Sequence, residues 1–95
     1  MAYLAIHDKQ APDPKFLWLL PIIKREATDN RPFVKKTVNW ALRQIGKRNL
    51  RLNRAAVRTS EQIRRMDSPA ARWIATDALR ELTGAAVQRR LRERE

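Results

Sequence analysis

The chain has 95 residues, enough for one small domain with a thin core. Its 21 Lys and Arg against 10 Asp and Glu leave a formal charge of +11, a self-repulsion that a polyanionic partner offsets. There is no cysteine, which excludes a disulfide framework, a thiol nucleophile and a cysteine-based zinc site. The longest apolar run, Phe16 to Ile23, contains Pro21 and is far too short to span a bilayer, so no membrane partner is expected. No Lys follows Lys47, and the Arg forks that replace it grip phosphate bidentately, which points to nucleic acid. Met1 to His7 carries no positive charge run and does not read as a signal peptide; a cytoplasmic location is expected.

In chain order, residues 1–8 read as the end of an amphipathic helix, with His7 and Asp8 at its cap. Asp13-Pro14 starts a helix over 14–27, which Pro21 is expected to kink or split. Asn30 ahead of Pro32 starts 31–46, Asn49 caps 50–66, and Ser68-Pro69 starts 69–82. A short basic helix follows at 85–93, inside a tail spanning 84–95. Gly46 and Gly84 sit near helix ends, where a left-handed residue is favoured. Alternating strand patterns are nearly absent, so the fold is predicted to be all-α.

Sliding the sequence by 37 residues sets Pro32 on Pro69, Ala41 on Ala78, Leu42 on Leu79 and Arg43 on Arg80. Two helices per such period predict HEAT-like or armadillo-like antiparallel hairpins in a short right-handed α-solenoid, one domain over 1–95. Val34, Val38, Ala41, Ile45, Ala71, Ala75 and Leu82 are the expected interior. Units of this kind bury faces against neighbours, so Tyr3, Leu4 and Ile6 are expected to be covered in a homodimer through the N-terminal helix.

At ~100° per residue, Lys36, Trp40, Arg43 and Lys47 form a stripe nearly opposite the Val34-Val38-Ala41-Ile45 core stripe. Trp40 there either packs under a neighbouring helix or stacks on a base or sugar while the cations hold phosphates. Lys35 joins the same candidate surface. Arg51, Arg54, Arg58 and Arg65 line one side of the next helix, as a solvated face or a run of phosphate contacts; Arg72 is a further candidate contact. Trp18 reads as core and Trp73 as structural, and Asp77 reads as the intrahelical partner of Arg80. No glycine-rich phosphate loop, metal-ligand cluster or Ser-His-Asp arrangement is present, so no catalytic residue, metal or cofactor is expected.

The segment Phe33-Val34-Lys35-Lys36-Thr37-Val38-Asn39-Trp40-Ala41-Leu42-Arg43-Gln44 resembles the HEAT-like-repeat DNA alkylation repair enzymes, AlkD-like glycosylases. Leu4 to Lys9, Arg25 to Asp29, Ala71 to Ala75 and Ala78 to Leu82 resemble C-terminal segments of the same family. The resemblance implies excision of cationic N-alkylated purines from duplex DNA held in a basic concave groove. It implies aromatic contacts to the deoxyribose and a carboxylate that stabilises charge developing on the sugar. Trp40 matches a cleft aromatic of the family, and Lys36 and Arg43 match its groove cations. None of this chain's acids matches the catalytic Asp, so the chain reads as the C-terminal portion of a longer member. The competing reading is a non-enzymatic repeat module that binds RNA or an acidic protein surface.

Overall fold

The computed structural model describes residues 13–94, and every regular element among them is an α-helix. They are α1 (Asp13–Glu26), α2 (Pro32–Gly46), α3 (Leu50–Arg64), α4 (Pro69–Leu82) and α5 (Ala85–Arg94). The starts have local causes. Pro32 and Pro69 occupy the first turns of α2 and α4, where the missing N–H has no helical acceptor to lose. Asn49 Oδ1 accepts from the Leu52 N–H at 2.8 Å, and Ser68 Oγ from the Ala71 N–H at 3.3 Å; both are the N-caps indicated by the sequence.

Several local expectations are corrected. Asn30 does not cap α2: Arg31 takes the N-cap position without a side-chain cap bond. The Asp29 carboxylate accepts from the Arg31 N–H at 3.0 Å and pairs with its guanidinium at 2.6 Å. Pro21 does not split α1, which runs through it. Neither described glycine has positive φ. Gly46 is present for space instead: a Cβ there would stand 2.5 Å from Leu82 Cδ2.

The helices pack on their sequence neighbours and also on alternate helices, α1 with α3, α2 with α4, and α3 with α5. Polar contacts between alternate helices follow one rule. Lys24 with Gln62, Asn39 with the Ile74 carbonyl, Arg43 and Lys47 with Glu81, Asn49 with Asp13 and Asn53 with Gln88 all join residues 34 to 38 apart. That spread brackets the 37-residue sequence period, so residues at matched repeat positions are neighbours in space.

Of the expected interior, Val38, Ala41, Ile45, Ala71, Ala75 and Leu82 are buried, and Val34 is half-buried at the core's edge. Trp18 is not core: it is 69% exposed. On α1 it sits two residues from Phe16, which at ~100° per residue turns it away from Phe16, Leu19, Leu20 and Ile23. A buried amide closes the far end of the molecule. Asn53 Nδ2 donates to the Gly46 carbonyl at 3.0 Å and the Leu82 carbonyl at 3.1 Å, the last residues of α2 and α4. Gln88 Nε2 donates to Asn53 Oδ1 at 3.0 Å and to the Leu82 carbonyl at 2.7 Å. Helix C-termini leave carbonyls without helical partners, and these two side chains supply them. The His7-Asp8 cap and the dimer face at Tyr3, Leu4 and Ile6 lie outside the described residues.

Candidate nucleic-acid interface

The core side of α2 is Val38, Ala41, Leu42 and Ile45, all fully buried. The helical repeat therefore places Lys36, Trp40, Arg43 and Lys47 on the outward side. Lys36 is exposed, while Trp40 is half-buried and packs against the edge of the core. Phe33, two turns before Trp40, belongs to the same stripe and is 81% exposed. Sequence reading passed over Phe33; the signal was its spacing of seven residues from Trp40, which returns a helix to the same face.

Side chains of α4 meet three of the α2 cations. Trp73 is 43% exposed, not buried against its preceding helix, and Lys35 Nζ lies 4.8 Å from its ring centroid. A cation over an indole face is worth ~0.5–1 kcal/mol at an exposed site. Asp77 takes the Arg80 guanidinium at 2.7 Å, as the sequence indicates, and lies 3.9 Å from Arg43 Nε. Glu81 accepts from Arg43 Nη1 at 2.9 Å and from Lys47 Nζ at 2.9 Å. The hydrogen bond from Lys47, followed by that from Arg43, holds the Glu81 carboxyl below its ordinary range. Lys35, Arg43 and Lys47 thus tie the α2 cations to Trp73 and Glu81 of α4, while Phe33 and Trp40 share the Lys36 side of α2.

The other candidate arginines are placed differently. Arg72 is exposed and reaches Asp67 at 3.5 Å. Arg51, Arg54 and Arg58 are exposed on the outward side of α3, opposite the buried Leu52, Ala56 and Ile63. The structure does not bring them together with Trp40, because α2 and α3 turn their core sides to each other. Among the described residues no cluster of three potential metal ligands occurs. No described helix is long and apolar enough to cross a membrane.

Comparison with protein families matches the DNA alkylation repair enzyme family over residues 3–82. The chain belongs to that family. No curated protein and no solved structure matches it. The family match contains both α2 and α4 and stops before α5 at Ala85. Membership in the family implies a function in DNA alkylation repair, with DNA as the partner.

Proposed function

We propose that the chain is the DNA-gripping, C-terminal part of an alkylpurine glycosylase whose substrate is duplex DNA bearing a cationic N-alkylated purine. Stacked hairpins of a HEAT-like, right-handed α-solenoid would set α2 and α4 side by side along its groove, and the 34-to-38-residue spacing of the inter-repeat contacts supports that arrangement. The observation that carries the reading is the outward α2 stripe, with Phe33 and Trp40 interleaved among Lys36, Arg43 and Lys47. Aromatic faces suit a sugar or an unstacked base, and the cations suit the flanking phosphates. Lys35 and Arg72 extend the phosphate contacts toward α4.

The chain's own chemistry favours binding over cleavage. Stabilising an oxocarbenium ion needs a carboxylate whose charge is free to face the sugar. On this face Asp77 is held by Arg80 and Glu81 by Arg43 and Lys47. Fluorescence titration with a duplex carrying one cationic N-alkylated purine tests the reading. Binding tighter than to the unmodified duplex, steeply salt-dependent, and without base release is expected. Equal affinity for both duplexes would overturn the lesion reading, and competition by RNA or an acidic protein but not by duplex would favour the repeat-module alternative.

A further inference from the structure

Most of the cations on the α2–α4 face are occupied within the chain: Lys35 by the Trp73 ring, Arg43 and Lys47 by Glu81, Arg80 by Asp77. On the outward side of α3 the situation is reversed. Arg51, Arg54 and Arg58 are exposed and make no ion pair among the described residues. These three residues line a surface groove of about 730 Å³, together with Asn53, Val57, Thr83 and Gln88. Arg58 also lines a second groove of about 430 Å³, between α1 and α3, where Lys24 stands on the opposite wall. Among the described residues no acidic side chain lines either groove.

We propose that this side of α3 is a second DNA-binding track, taking the phosphodiester backbone of a DNA segment other than the one on the Trp40 face. Arg51, Arg54 and Arg58 span ~10 Å along the helix axis at 1.5 Å per residue. One DNA strand rises 3.4 Å per nucleotide, so that span covers about three phosphates. Positive charge gathered along one line, where Glu61 is the one acid on the same side of α3 and the three arginines outnumber it, is what a phosphate backbone neutralises, and the open grooves admit it without rearranging the core. The track carries no exposed aromatic among its groove-lining residues, so it grips backbone and reads neither base nor lesion. One molecule then holds two DNA segments on opposite faces.

The test is bridging. Two short unmodified duplexes, one labelled with a donor fluorophore and one with an acceptor, are mixed with the full chain at low salt. Energy transfer between them is expected with the native protein and is expected to be lost in the triple variant Arg51→Gln, Arg54→Gln, Arg58→Gln. The second, weaker binding phase should lose roughly 2.7 units of its log–log salt slope, about 0.9 for each phosphate contact. The triple variant should keep its melting temperature, because the three side chains are exposed and make no ion pair among the described residues. It should also keep first-duplex binding within about twofold, whereas Lys36→Gln weakens that first phase and leaves bridging stoichiometry intact. Undiminished transfer in the triple variant, or saturation of the native chain by a single duplex without transfer, would overturn the proposal. The first phase, measured separately, reports on the Trp40 face whatever the bridging result.

Discussion

Arg43 and Glu81 are joined across α2 and α4 by a 2.9 Å hydrogen-bonded ion pair, and Lys47 closes on the other carboxylate oxygen at 2.9 Å. Two of the cations in the proposed DNA interface therefore already meet a carboxylate. These side chains are a quarter to a third exposed, so solvent screening keeps the pairs' worth at or below ~1 kcal/mol. Binding a phosphate requires the cations to exchange one anion for another, and Glu81 weakens every such contact by its charge.

Glu81→Gln is accordingly expected to tighten DNA binding. Removing one negative charge and releasing two cations should raise affinity roughly twofold to fivefold at low salt and steepen the salt dependence. The stability cost is expected to be at most ~1 kcal/mol. Titrations at two salt concentrations and a thermal melt measure both. Weaker binding with unchanged stability would mean that Glu81 orients Arg43 and Lys47 for DNA.

The same carboxylate sets an acid dependence. Glu81 titrates below its ordinary 4.5 because Lys47 and Arg43 hold the ionised form. Asp29 is lowered from 3.8 to about 2, chiefly by the Arg31 guanidinium and then by the Arg31 N–H. A depressed folded-state value means that the stabilisation is complete above the unfolded value and is lost as pH falls through the folded one. Melting temperature is expected to hold down to about pH 4.5 and to fall progressively toward pH 2. Glu81→Gln should flatten the upper part of that fall and leave the Asp29 part, which Asp29→Asn removes.

At the closed end of the helices, Asn53→Leu is expected to cost ~1–3 kcal/mol by leaving the buried Gly46 carbonyl without its side-chain donor. The Leu82 carbonyl keeps Gln88, so the loss is not doubled. Gly46→Ala sets two effects against each other. Alanine favours a helix over glycine by up to ~1 kcal/mol, but a Cβ 2.5 Å from the fully buried Leu82 overpacks the core by ~1–3 kcal/mol. Net destabilisation is expected in chemical denaturation, and in the double variant Gly46→Ala with Leu82→Ala the two losses should be less than additive, because the added methyl enters the space that the leucine leaves.

Prolines, caps and core spacing made the helices legible in the sequence, because each acts within a few residues. The site was legible on one helix only. Lys36, Trp40, Arg43 and Lys47 fall on one side of α2 by periodicity alone, but their partners sit on α4. Shifting the chain by its own 37-residue period would have placed Asp77 and Glu81 beside Trp40 and Gln44, and hence beside Arg43. Trp18 was misread because an apolar run hides which of its members faces out; the flanking residues Phe16, Leu19, Leu20 and Ile23 already define the inward side. Asn53 and Gln88 gave no local signal, since a polar residue in a helix is ordinarily solvated.

Trp40 is where the structure departs from both simple alternatives, a free groove surface and a buried core residue. It is half-buried and packed against the core, on the side of α2 that the helical repeat shares with Lys36 and Arg43. Trp40→Ala should therefore cost ~1–3 kcal/mol of stability, less than the ~3–5 kcal/mol of a fully buried aromatic. Removing its stacking surface should weaken DNA binding by ~1–3 kcal/mol as well. Phe33 separates the two effects, because at 81% exposure it has little packing to lose. Phe33→Ala is expected to leave the melting temperature within a degree or so of native, while weakening DNA binding by roughly 1 kcal/mol. Trp40→Phe should recover most of the stability and part of the affinity, since it restores an aromatic face of smaller area. Full DNA affinity in both Phe33→Ala and Trp40→Ala, measured at a temperature where each variant is folded, would remove the aromatic stripe from the interface and leave only its cations to bind.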